Sequence, residues 1–188
     1  AQVKADSIKS WKLRSLYSLS GTQSSFVNWN AGGRNNISMI GSVGASAYYT
    51  HNNVKWTNDA SFALGGIKYL DKLNGVGLQK TDDRIDLAST FGMLLSKDFF
   101  LTVAAGFKTQ MVNGYTYPND SVVVSTFMAP GYLNLALGTD LRKGDQFSVF
   151  FSSIAFKSTF VLDDSLSKVG AFGVEKGGTF RQEYGAFV

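Results

Sequence analysis

The stretch Gly131–Phe151 reads GYLNLALGTD-LRKGDQ-FSVFF, and its alternation decides the fold. Leu133, Leu135 and Leu137 alternate with Asn134, Ala136 and Gly138. Arg142-Lys143-Gly144-Asp145 forms a short polar turn, after which Phe147, Val149 and Phe151 resume the alternation around Ser148. Successive side chains of a strand point to opposite faces. The stretch is therefore a β-hairpin with one strongly apolar face and one small or polar face.

The same unit recurs along the chain. Strands are predicted at about 11–22, 37–49, 54–69, 84–95, 99–110, 131–140, 147–161 and 179–188. Short turns join them at 50–53, 96–98 and 141–146, and long connections at about 22–36, 70–83, 111–124 and 162–178. In the seventh strand the apolar phase slips near Ser152-Ser153, since Ile154, Phe156 and Phe160 fall on the other parity. One extra residue in a β-bulge accounts for that. No segment shows helical periodicity. Residues 1–9 read as a polar tail, which a membrane barrel would place on the periplasmic side, and 10–188 as one domain.

Composition narrows the class. The 188 residues contain no cysteine, so neither disulfides nor a Cys-based metal site is available. Charged residues make up 17%, against roughly 25% in average soluble domains, while 20 glycines and 15 phenylalanines are present. Lysines and arginines are dispersed, which argues against nucleic acid as a partner despite a net charge of +4. With one histidine, His51, predicted in a tight turn, no catalytic or metal constellation emerges. The expectation is a non-enzyme that uses no cofactor.

Alternation leaves the direction of the apolar face open. A soluble lipocalin-like barrel hides it, whereas a membrane barrel turns it to lipid. Four features favour lipid. Long connections gather at one end and tight turns at the other. The strands exceed the roughly 9–11 residues a tilted strand needs to cross a bilayer. Trp11, Tyr48, Tyr49, Trp56, Phe99, Phe100 and Phe147 collect beside the short turns as an interfacial girdle would. The opposite face carries Gly, Ala, Ser and Thr rather than Lys and Glu. The fold expected is an all-β, antiparallel, up-and-down transmembrane barrel with eight strands visible. Lys12, Arg14, Asp59, Arg84, Asp86, Lys108 and Asp140 then face its lumen. Gly44, Gly65, Gly92, Gly106 and Gly138 share that parity and are expected to make room for the long basic side chains or for an inserted segment, occluding the interior. Trp29, Tyr115 and Tyr117 are candidate contact residues in the long loops.

Several motifs carry a resemblance. They are Gln23–Gly33 (QSSFVNWNAGG) with Asn36-Ile37-Ser38, Asp82–Leu87 (DDRIDL), Phe107–Gln110 (FKTQ), Tyr117–Asp120 (YPND), Phe127–Pro130 (FMAP) and Gly170–Val174 (GAFGV). Together they resemble an uncharacterised family of Bacteroidota envelope proteins, a domain of unknown function. The resemblance implies an outer-membrane location after signal-peptide removal and brings no known activity. It also leaves open a chain incomplete at its C-terminus and a barrel of more than eight strands. The role expected is a structural or accessory subunit of an envelope assembly, in contact with outer-membrane lipid, lipopolysaccharide and other outer-membrane proteins. A passive porin-like channel for small polar solutes is the alternative, and a soluble binding barrel a third.

Overall fold

A computed structural model describes residues 11–28, 32–71, 77–143 and 147–187. The tail 1–9, Trp29 and the tip of the Arg142–Asp145 turn lie outside the described residues. Eight strands form one antiparallel sheet: β1 (Trp11–Ser24), β2 (Asn36–His51), β3 (Val54–Tyr69), β4 (Gln79–Ser96), β5 (Phe99–Thr109), β8 (Gly131–Lys143), β9 (Phe147–Phe160) and β10 (Phe180–Phe187). Their spatial order is β1-β2-β3-β4-β5-β8-β9-β10, so the sheet is a meander. Between β5 and β8 sits a separate small hairpin, β6 (Gly114–Tyr115) with β7 (Val123–Ser125). The described ladders give β1 and β10 one neighbour each, and they do not pair with one another. Eight antiparallel strands are thus as expected, whereas the expected closure is not part of the pairing.

Among the described residues no second layer covers the sheet, yet its two faces differ. Along β5 the exposures run Phe100 7%, Leu101 37%, Thr102 1%, Val103 47%. Leu101 and Val103 are exposed while Thr102 is buried, and Phe100 is a large apolar residue on the buried parity. Ala63, Gly65, Gly92, Asp140 and Ser152, on the small-residue face, are also buried. A face with nothing packed on it is buried only when the sheet curls around it, so the small-residue face is concave. Leucines, phenylalanines and valines populate the convex face. The accessible surface is 13122 Å², whereas a compact soluble monomer of this length exposes about 9,000 Å².

Bulges adjust the register. Leu137 pairs with Ile154 and Gly138 with Ser152, leaving Ser153 unpaired. On the other side Gly185 pairs with Ala155 and Phe187 with Ser152, so Ser153 is the extra residue for both neighbours. The phase slip read from sequence is this bulge. The hydroxyl of fully buried Ser152 lies 2.9 and 2.8 Å from the carbonyl oxygens of Leu137 and Ile154. A second bulge, at Thr81, lets β4 begin at Gln79 rather than near Arg84. The polar run Gln79–Asp83 looks like loop in sequence but continues the ladder against Leu64–Ile67.

The glycines serve a different purpose from the one expected. A Cβ on Gly65 would lie 2.2 Å from Ile40, and one on Gly92 would touch Phe100 and Thr102. On Gly138 it would meet the backbone oxygen of Phe151 at 2.1 Å. These glycines accommodate Ile40, Phe100 and the bulge, not the lysines and arginines. Gly44 and Gly106 meet only a backbone oxygen, at 3.9 and 4.0 Å, and leave open floor.

The long connections hold more structure than alternation reveals. The helix α1 (Asp164–Lys168) is capped by Asp163, whose carboxylate accepts from the Ser165 and Leu166 N–H groups and the Ser165 hydroxyl. Five residues are too few to show a 3.6 period, so only the cap signature Asp163-Asp164-Ser165 was available to mark it. Val161, Leu166, Val174 and Ala129 form the one apolar cluster of buried residues found among the described residues.

Gly138→Ala drives a methyl into backbone that cannot yield, and should lower stability by about 2 kcal/mol or more. Gly106→Ala, with open space around it, should stay within about 0.5 kcal/mol of the parent chain. Denaturant unfolding of the two variants in detergent checks the contrast.

Candidate functional site

Two regions gather polar chemistry. The first is the end where the long connections lie. Asp83 has a side chain only 1% exposed, and its carboxylate accepts from the Met111 N–H (2.7 Å), the Val112 N–H (2.9 Å) and the Lys80 ammonium (2.9 Å). Lys80 Nζ also donates to the Val112 carbonyl, 3.1 Å. The Lys80 backbone N–H donates to the Tyr117 hydroxyl at 3.1 Å, and the Tyr115 and Tyr117 rings lie 6.2 Å apart. Tyr117 is thus engaged within the chain, holding its loop against β4.

The Thr109 hydroxyl donates to the Pro130 carbonyl and accepts from the Met128 N–H, both at 3.0 Å. That joins the FKTQ stretch to the FMAP stretch. Ala129 of FMAP and Val174 of GAFGV then meet in the small core. Several of the motifs therefore bind one another at one end of the sheet. Their residue types fit fixing the loops, and no nucleophile–base pair stands among them.

At the same end Arg34 grips Asp71 with two hydrogen bonds, Nε to Oδ2 at 2.7 Å and Nη2 to Oδ1 at 2.5 Å, while its guanidinium lies 4.0 Å above the Tyr69 ring. The hydrogen bond from Arg34 holds the Asp71 carboxyl below its ordinary range, and the same bond raises Arg34. This clamp ties the start of β2 to the end of β3 and is reinforced by the Leu70 N–H to Asn35 carbonyl bond, 2.8 Å. Sequence reasoning missed Arg34 and Asp71. They are 37 residues apart, and no local pattern announces such a pair.

The second region is the concave face. The register puts Lys12, Arg14, Asp59, Arg84, Asp86, Lys108 and Asp140 on one parity of the sheet. They do not form one network. Lys108 pairs with its cross-strand neighbour Asp86 at 3.4 Å, and Arg84 reaches Asp82 at 3.8 Å rather than Asp59 or Asp86. Asp140 is buried and bound to Arg142 Nε (2.5 Å) and the Ser148 hydroxyl (3.1 Å). Arg142 and Lys55 sit 5.6 and 5.0 Å from the Phe100 ring. Asp59 accepts from the Ser46 hydroxyl at 2.5 Å, and Arg14 lies 5.7 Å over the Tyr48 ring without an ion pair among the described residues. The expectation missed Lys157 and Glu183, paired here at 3.6 Å. The signal was available, because the slip at Ser153 puts Lys157 on this parity.

Arg14, Asp59, Asp86 and Lys108 surround a cavity of about 650 Å³ whose floor includes Gly44, Ser61, Ala88 and Gly106.

The convex face has its own order near the short turns. Trp11 lies 5.1 Å from Tyr49 and 5.6 Å from Trp56, and Trp56 is 6.5 Å from Phe91. The register sets these four rings side by side across β1 to β4.

The sequence model of a family described as a protein of unknown function, DUF3078, matches residues 22–115, half of the chain. The match takes in the NWNAGG, DDRIDL and FKTQ stretches and ends before YPND, FMAP and GAFGV. No curated protein and no solved structure matches the chain.

Asp83→Ala leaves the Met111 and Val112 N–H groups and the Lys80 ammonium without their acceptor. It should cost about 2–4 kcal/mol and open the 111–117 segment to protease, read by denaturation and by cleavage mapping. The Asp71 clamp has a pH signature. Because the folded pKa is lowered, its contribution is complete above the unfolded value of about 3.9 and is lost as pH falls through the folded value. The stability difference between the parent chain and Asp71→Asn should therefore be constant from pH 7 down to about 5 and vanish on further acidification, measured by unfolding across that range.

Proposed function

The chain belongs to the DUF3078 family of proteins of unknown function, and we propose that it is an integral β-barrel protein of a Bacteroidota outer membrane, acting as a structural or accessory subunit of an envelope assembly. The role is non-enzymatic. The observation that carries this reading is the inverted burial of the sheet from β3 to β9: many large apolar side chains stand exposed on the convex face while Ala63, Thr102, Asp140 and Ser152 are buried on the other. In water such a surface is an aggregation hazard, whereas in a bilayer it is the required exterior.

Further features agree. Sheet strands of 11–18 residues, β10 aside, are long enough to cross when tilted. The aromatic row Trp11–Tyr49–Trp56–Phe91 stands at one end, as interfacial rings do. No described helix is long and apolar enough to cross a membrane, which bears on helical crossing alone. A bilayer demands that every backbone group be paired. In this reading the free edges of β1 and β10 are therefore joined in the membrane, to each other or through further strands. Outer-membrane lipid and lipopolysaccharide contact the convex face, and the chain arrives after loss of a signal peptide. The soluble binding barrel requires the opposite burial.

A second reading, a passive channel for small polar solutes, is favoured by one observation. The centre of the concave face keeps a charged cavity instead of a filled interior.

The test is membrane fractionation with gel mobility. The chain should partition with outer membranes, require detergent for extraction, and migrate differently in SDS before and after boiling. Recovery from the soluble fraction with one heat-independent mobility would overturn the membrane reading.

A further inference from the structure

The cavity on the concave face is lined by four charges, two of each sign. Asp86 and Lys108 satisfy one another across β4 and β5 at 3.4 Å. Arg14 and Asp59 do not. They stand in one row of the sheet, Arg14 opposite Ser46 and Ser46 opposite Asp59, with β2 between them. Two interstrand spacings place their Cα atoms about 10 Å apart. Ser46 donates to one oxygen of Asp59 and fixes its orientation. The other oxygen receives no donor among the described residues. Arg14 lies over the Tyr48 face and makes no hydrogen bond or ion pair among the described residues, which leaves its fork of N–H groups available to a planar anion.

Ser46 alone lies between these two charges in their row, and the floor around it is small apart from Leu16 in the next row. Gly44 and Gly106 present no side chain, and Ala88 and Ser61 present short ones. A groove with a cation and a carboxylate two strands apart, neither in an ion pair among the described residues, and only the short Ser46 between them is complementary to a molecule carrying both signs. We propose that the concave face binds a short zwitterion, its carboxylate on Arg14 and its ammonium on Asp59. Amino acids and small peptides are the chemical class that fits. The inference deepens the channel reading, on which its access from water rests, by naming the solute class.

The test uses the purified full chain in detergent and three matched probes: 4-aminobutyrate, butyrate and butylammonium. Saturation-transfer NMR should give 4-aminobutyrate a dissociation constant lower by about tenfold or more than either singly charged probe, the effect of adding one charge-assisted contact. In Arg14→Gln its affinity should fall to that of butylammonium, and in Asp59→Asn to that of butyrate. Lys157→Gln, outside the cavity, should preserve the preference. Equal affinity for the three probes, no binding, or a preference surviving both substitutions would overturn the site. Should the variants misfold, the probe series on the unaltered chain decides alone. Gel mobility on the same samples separates the two claims. A heat-dependent band without zwitterion preference removes the site and keeps the barrel; preference without such a band does the reverse.

Discussion

A sheet with no second layer has two faces, and curvature can shelter only one of them. That constraint organises this chain. The backbone ladder from β1 to β10 is continuous, so polar backbone groups within the sheet find partners regardless of solvent. What remains is the choice of which side chains go inside the curl. Small residues permit tight curvature and large ones oppose it. The sequence places Gly, Ala, Ser and Thr on one parity and Leu, Phe and Val on the other, and the direction of the curl follows. The exposed apolar face is thus a consequence of geometry rather than a failure of burial.

The long connections answer a different requirement. Loops of this length would have high conformational entropy unless tied down. Here each is anchored by a buried or bidentate polar contact: Arg34 to Asp71, Asp83 to the Met111–Val112 backbone, Thr109 to Pro130, and Asp163 at the start of α1. On the concave face, by contrast, Arg14 and Asp59 stand without an ion pair among the described residues.

The sheet was legible in sequence because its signal is local. Period-2 alternation fixed every main strand, and the shift of phase at Ser153 located a bulge that both neighbouring strands respect. The extra length of β4 was hidden, because Asp82, Asp83 and Lys80 have loop-like composition and their strand state depends on Leu64–Ile67 and on the loop they hold. The β6–β7 hairpin and α1 were hidden for a related reason: each is too short to display a period. Of the candidate charges, face was readable and partner was not. Arg84 turning to Asp82, Lys108 to Asp86 and Asp140 to Arg142 are outcomes of strand register and rotamer. Tyr117, singled out as a contact residue, makes its contact within the chain.

The bulge at Ser153 has a consequence for how such a chain can change length. Each strand stores a binary state, inward or outward, and one added or removed residue inverts it for everything downstream in that strand. Ser153 acts as a parity bit. Without it, Ile154 and Phe156 would turn to the concave face and Lys157 to the convex one. Length variation inside these strands is therefore tolerated in steps of two, or in steps of one where a bulge absorbs the difference. Gly138, opposite the extra residue, is where the backbone leaves room for that correction.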